Sequence, residues 1–363
     1  MSAEVSRARR ATAWVFFANG AALGSWVPHI PGAKHALGLS DGLLGLALLG
    51  MAAGSLLGLP LSGLLTARFG SCRTTTAAIL ALLLATPLPL LAPSLAVFAA
   101  ALVLLGIANG AVDVAMNTQA TAVEERVGRA IMSGFHGFFS AGGLAGAAAA
   151  GLAMEAGIGP RAHLTASVAL LLSVTLWAVR FLLPTAPAAA ETAILRLPRG
   201  PLFAVGVFAL CSLLAEGAMG DWAAVYLRED LGTGAGYAAL GFAGFSLAMA
   251  AGRFLGDRVV RRYGGPAVLG AGAGIASALL TAGLLVLVNT ISNFELAFLL
   301  AGGGSQTLVV ALYYNVFAGG VRPVYSIDAM AVIYMVMIMS VLIVALRFVR
   351  PTQMVFRLDQ PRH

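Results

Sequence analysis

Apolar residues run through this chain in stretches of about 20, the length at which a helix crosses the hydrocarbon core of a bilayer. The stretches fall near residues 11–30, 43–66, 74–93, 95–121, 130–153, 163–183, 202–226, 235–256, 265–288 and 329–348. Hydrocarbon holds no water to bond a free amide or carbonyl, so each stretch must satisfy its own backbone as an α-helix. Composition agrees with this. Of the 363 residues, 60% are hydrophobic and 10% are charged, whereas a soluble domain carries roughly 25% charged residues. The expected fold class is all-α, a polytopic membrane protein whose helical bundle holds about ten transmembrane helices. The segment after "SRARR" (6–10) reads as a first span, because no small-residue cleavage site ends it.

The net charge of +7 has its natural place in the loops. With the amino terminus inside and sides alternating, 18 of the 22 basic residues fall on inner segments and only Lys34, Arg161, Arg228 and Arg322 on outer ones. The positive-inside rule selects that orientation. It predicts both termini in the cytoplasm of a multi-pass inner-membrane protein, and no nucleic-acid partner. Cys72 and Cys211 allow at most one disulfide and have no metal-ligand spacing.

The chain also repeats itself. "LGLSDGLLGLALLGMAAGSLLGLPLSGLLTARFG" (37–70) aligns with "LGTGAGYAALGFAGFSLAMAAGRFLGDRVVRRYG" (231–264) at a constant offset of 194. Glycines coincide at 38/232, 42/236, 50/244, 58/252 and 70/264, and Arg68 matches Arg262. Upstream, "GSW" (24–26) answers "GDW" (220–222). Between the copies, "LPTAPAAAETAILRLPRGP" (183–201) is broken by prolines and cannot be one continuous helix. The organisation expected is a six-helix half at 1–183, a cytoplasmic linker at 184–200, and the first three helices of a second half at 201–288. The repeat does not continue: 95–183 finds no likeness near 289, so the second half reads as truncated and 289–363 as a tail with one span.

Residues 1–288 resemble the major facilitator superfamily, in the branch of YbjJ-type inner-membrane permeases related to fucose permeases. The likeness rests on "GSWVPHIPGAKHALGLSDGLLG" (24–45), "GIANGAVDVAMNTQA" (106–120), "AIMSGFHGFFSAGGLAGA" (130–147) and "LAEGAMGDWAAVYL" (214–227). The superfamily's loop motif survives in part. "GRFLGDRVVRRYGG" (252–265) keeps Asp257 and Arg258, while "GLLTARFGSCR" (63–73) keeps Arg68 and Arg73 and has Ala67 where the acid belongs. The resemblance implies that these four residues are gating-loop groups. From about 290 to 359 the chain resembles the carboxy-terminal end of an ABC permease subunit of the spermidine/putrescine type. That family's coupling loop is missing, so no ATPase subunit is expected as a partner. The fold implied is a bundle of the major facilitator type. The activity implied is secondary transport of a small solute, sugar-like, another polar metabolite or an efflux substrate, by alternating access and linked to protons; the alternatives are a non-transporting fusion remnant or membrane sensor and, third, an ABC permease subunit. The protein is expected to act as a monomer in the lipid bilayer, and not as an enzyme.

Ionisable side chains within spans are costly, roughly 2.5–3.5 kcal/mol at a helix centre, and so default to functional hypotheses. Asn109, Asp113 and Asn117 stand at i, i+4 and i+8, one polar stripe along a helix. The resemblance implies that helices 1, 4, 7 and 10 line the pathway. That brings in Asp113, Glu216 near the middle of helix 7 and Asp221 nearer its outer end. "DVAMN" (113–117) matches the fucose-permease pattern of an acid four residues before an asparagine, where the acid takes part in proton coupling. The expected cavity acid of helix 1 is replaced by Asn19 and Ser25. Asn109 and Asn117 could hold substrate hydroxyls or orient Asp113, or serve as packing amides. His136 could relay protons or simply pack. Trp26 and Trp222 could stack a flat ligand or belong to an interfacial belt. "VEERVGR" (123–129) reads as a solvated turn. No nucleophile arrangement, phosphate loop or metal cluster stands out, and no cofactor is expected.

Overall fold

Three helices open on a serine whose hydroxyl accepts the amide of the residue three positions on, the standard way to satisfy a free helix N-terminus. In the computed structural model, Ser2 takes the Val5 amide at 3.3 Å, Ser40 takes Leu43 at 3.3 Å and Ser94 takes Val97 at 3.5 Å. They start α1 (Ala3–Trp26), α3 (Asp41–Phe69) and α5 (Leu95–Val127). Prolines end elements or bend them, since each removes an amide donor. Pro28 lies in a 3-10 turn at Val27–His29, which leads into the short α2 (Ile30–Ala36). Pro87 and Pro89 stop α4 (Ser71–Ala85) in a 3-10 turn at Leu88–Leu91. The chain continues through α6 (Met132–Glu155), α7 (Pro160–Ala178), α8 (Pro201–Glu229) and α9 (Ala235–Tyr263). The structure describes residues 2–185, 201–264, 267–268 and 270–271; the side chain of Asp257 and most of those in 201–215 fall outside that description.

All regular structure among the described residues is helical. Six segments are long and apolar enough to cross a membrane: α3, Ser71–Leu91, α5, α6, Pro160–Phe181 and α9. The expected spans at 265–288 and 329–348, the linker around 186–200 and the tail from 289 lie almost wholly outside the described residues. Residues 1–258 form one compact unit and 259–363 a second, of which the description covers only the end of α9 and five residues beyond it.

The elements pair in an inside-out fashion. On α3, Gly54, Gly58 and Ser62 face inward, whereas Leu46, Leu56 and Leu64 are 67–69% exposed. This is the pattern a lipid solvent selects, because leucine gains nothing by leaving lipid and small residues let backbones meet. A Cβ added at Gly54 or Gly58 would fall on the carbonyl oxygens of Val103 or Ile107 of α5. Ser55 and Ser62 donate across the same seam to Gly106 O (3.1 Å) and Ala111 O (2.7 Å). The pair α1–α6 uses Gly20, Gly24, Gly142 and Gly146 in the same way.

The sequence repeat has a backbone counterpart. At the offset of 194, α3 and α9 begin and end at equivalent residues, and each is 29 residues long. The flanking glycines agree: Gly38 and Gly232 have φ of 62° and 64°, Gly70 and Gly264 have 82° and 81°. Positive φ is open to glycine without a Cβ clash. The matched glycines therefore mark the same two chain reversals in both copies.

Two local readings need correction. The first helix begins at Ala3 rather than near residue 11, because Ser2 caps it before the arginines. "VEERVGR" is more than a solvated turn. Glu124 accepts the amides of Ile131 and Met132, both at 2.7 Å, and so caps α6, whose own N-cap Ile131 has no side chain to do so.

Candidate functional site

Helices α1, α5, α6, α8 and α9 bring the polar residues of the spans together about halfway along the bundle. We call the end carrying Ala3 the near end and the other the far end. Asp113 lies in α5 about 21 Å from its near-end terminus by helix rise. It is exposed, and its carboxylate accepts the Asn117 amide at 3.1 Å while the same amide also bonds Asp113 O at 2.8 Å. The stripe is thus internally bonded between Asp113 and Asn117. Asn109, one turn further toward the far end, is half-buried.

Facing this stripe is His136 of α6. Its ring stands edge-on to Phe16 of α1, centroids 5.2 Å apart, and lies within electrostatic reach of Asp113, Glu216 and Arg253. Glu216 is bound at both carboxylate oxygens by one Arg253 nitrogen, at 3.0 and 3.3 Å. The other terminal nitrogen of Arg253 donates to Ser140 Oγ at 2.7 Å, and Ser133 Oγ donates to Arg253 O at 2.6 Å. Arg253 therefore ties α8 and α9 to α6. Charge-assisted bonds of this kind are the strong ones. This corrects the placing of Arg253 among the loop cations: it stands in α9 about 15 Å before the helix ends, inside the bundle and paired with an acid. The signal was a charge inside "LAMAAGRFLG", which the inside-outside count absorbed.

Helix α1 contributes a polar atom without a partner. Asn19 is 1% exposed; its amide nitrogen touches Met116 S at 3.8 Å, and its oxygen has no hydrogen-bond partner among the described residues. Asp221 is half-buried in α8. Trp222 is half-buried, and its ring packs over Gly45 of α3. Trp26 departs from the pathway reading. It is 1% exposed, lies against Phe98 with ring centroids 6.2 Å apart, and offers no open face to a ligand or an interface. The two tryptophans match in the sequence repeat, yet their environments differ.

Of the residues expected to be gating-loop groups, Arg68 stacks over Phe69 at 5.3 Å, and Arg68, Arg73 and Arg258 are exposed without an ion-pair partner among the described residues. The Asp257 side chain lies outside the description. The near-end turn is held by another residue that the sequence did not single out. Gln119 is fully buried and donates to Ser71 Oγ and Leu183 O, both at 2.9 Å, while accepting the Leu183 amide at 3.2 Å.

The far end carries an ion cluster that sequence reading also missed. Lys34 of α2 is 8% exposed and binds both Asp41 (2.6 Å), at the start of α3, and Glu229, at the end of α8. His35 stands 3.5 Å from the same Glu229. Burial pulls the Lys34 ammonium down, but the bonds to Asp41 and Glu229 outweigh it and hold it above the ordinary lysine value. Beside this cluster, His29 and His163 share a hydrogen bond of 3.0 Å, and His29 is 2% exposed. A cavity of about 470 Å³ there is lined by His29, Leu37, Leu90 and Arg161 among others. A second, of about 370 Å³, lies at the near end between α1 and α7. Neither includes Asp113.

Comparison with known proteins places this arrangement. The family model described as "Major Facilitator Superfamily" matches residues 12–349, running past residue 289, where the tail resemblance begins. An uncharacterized MFS-type transporter of Yersinia pestis is 38% identical over 304 residues, covering 83% of this chain and 78% of that protein. Membrane protein MosC of Rhizobium meliloti is 35% identical, covering 84% of this chain and 74% of its own. The uncharacterized transporter y4wD of Sinorhizobium fredii is 33% identical, with 86% and 83% covered. Among solved structures, the nucleoside transporter NupG aligns with a TM-score of 0.50 at 15% identity, over 74% of this chain and 70% of NupG.

Proposed function

The chain belongs to the Major Facilitator Superfamily, and from that premise we propose that it carries a small polar solute, sugar-like or a comparable metabolite, by alternating access coupled to proton movement. Its relatives and its family are transporters, not enzymes. The near end is the cytoplasmic one in this reading, since the arginine-rich turns gather there. The inner membrane of a bacterium is the setting the relatives suggest.

One observation carries the proposal. Asp113 is an exposed carboxylate at mid-depth of a spanning helix, bonded by Asn117 and unpaired by any cation among the described residues. Such a group can take a proton from one side and give it to the other as access alternates. His136 stands where it can exchange that proton or sense it. Glu216, held by Arg253, fixes the wall opposite, and Asn109 and Asn117 offer amides to substrate hydroxyls. The far-end ions join α2, α3 and α8, and in an alternating-access cycle such a tie would serve to hold that side together.

The test is uptake into proteoliposomes with an imposed pH gradient, read with a panel of sugars, nucleosides and amino acids and with a proton-sensitive dye inside. A transported solute should acidify the lumen as it enters. Asp113→Asn should abolish gradient-driven accumulation, a loss of 100-fold or more on the order expected for removing a proton-transfer group, while exchange of solute without a gradient persists. Flux that ignores the gradient and the substitution would refute proton coupling at Asp113. A folded protein with no flux for any solute would refute transport itself.

A further inference from the structure

We propose that the near-end groove between α1 and α7 is a binding site for an anionic phospholipid, with the phosphate held by Arg7 and Arg10. The groove encloses about 370 Å³, and its floor is Trp14, Val174, Trp177 and Phe181. Its chemistry is divided along the helix axes. The two arginines stand at the outer rim, both exposed, and neither meets an acid at ion-pair distance among the described residues. Arg7 lies over the Phe181 ring, 5.9 Å from its centroid. Below them the lining turns aromatic and aliphatic. Trp14 is anchored by its indole nitrogen to Thr175 Oγ1 at 3.0 Å, and the Trp177 and Phe181 rings meet edge to face at 5.1 Å.

The groove therefore presents two cations at headgroup depth and a rigid apolar slot beneath them. That is the division of a phospholipid: a phosphate above acyl chain. Basic pockets between transmembrane helices bind anionic headgroups on this principle. A soluble anion would use the arginines and leave the slot empty. Trp177 is 58% exposed on a spanning helix, an orientation that offers its face to lipid. The chain's own linker matches the site poorly in charge, because residues 186–200 carry Glu191 against Arg196 and Arg199.

The full-length protein in phosphatidylcholine bilayers provides the test. A minor fraction of brominated phosphatidylglycerol, or the same fraction of brominated phosphatidylcholine, serves as a quencher of tryptophan fluorescence. Phosphatidylglycerol should quench in excess, and high salt should remove the excess. Arg7→Gln and Arg10→Gln should each lower the preference about fivefold, the equivalent of about 1 kcal/mol per basic residue at the surface. Should either variant fail to elute as a folded species, the salt titration of the wild-type protein still separates the outcomes. Equal quenching by the two lipids overturns the site. So does quenching by neither, which would leave the groove to the linker. A fluorescence change with inorganic phosphate in lipid-free detergent, matched to the arginines, would reassign the groove to a soluble anion and overturn it as well.

Discussion

The Glu216 and Arg253 side chains are 30% and 22% exposed, so their attraction is partly screened and the two bonds between them decide their contribution. A hydrogen bond to a charged group contributes about 1.5–3 kcal/mol. Glu216→Gln and Arg253→Gln should each lower the melting temperature in detergent, and the double variant should lose less than the sum. A coupling energy of about 1–2 kcal/mol in that cycle is the expected outcome; simple additivity would mean that the pair holds nothing together. The stripe Asn109–Asp113–Asn117 was legible because spacing alone fixes which residues share a helix face. Arg253, Lys34 and His29 were not, because the partner that gives each its meaning lies 37, 195 and 134 residues away.

Among the elements, α3 and α5 show how a glycine can hold two helices at one distance. At Gly54 the incoming Cβ would meet backbone, which cannot swing aside as a side chain can. Gly54→Ala should force the pair apart and destabilise by about 1–3 kcal/mol, the usual range for overpacking. Gly63, on the same helix, has nothing within 4 Å of its Cβ position. There the same change should stabilise by up to about 1 kcal/mol through helix propensity. Opposite signs for one substitution on one helix, read as melting temperatures in detergent, are the check. Element limits could be read well where a residue acts on its own backbone. Ser40 and Gly70 bracket α3, and Gly264, the repeat partner of Gly70, ends α9. Limits set by a distant residue could not, and α6 is the case in point, capped by Glu124 from the preceding helix.

At the scale of the molecule, the alternating-access proposal gives the far-end cluster a role: it would be the tie that holds that side shut. Lys34 reaches Asp41 within its own half of the repeat and Glu229 across to the other. Exposed ion pairs contribute little, but Lys34 is 8% exposed, serves two carboxylates and has no other polar partner among the described residues. Removing its charge leaves Asp41 and Glu229 without the ammonium between them, and the far-end contact of α2 with α8 keeps only the 3.5 Å approach of His35 to Glu229. A conformational equilibrium responds only to what differs between its states. If the proposed open state parts Lys34 from Glu229, Lys34→Gln should favour opening. A loss of about 1 kcal/mol raises the open population about fivefold. A cysteine placed at Asn109, with Cys72 and Cys211 changed to serine, reports on that population. An impermeant maleimide applied from the far side should label it about fivefold faster in the Lys34→Gln background, and Asp41→Asn should have a smaller effect because Asp41 does not bridge the two halves. Equal labelling rates in all three would mean that the ions are bystanders and that helix packing alone shuts the far end.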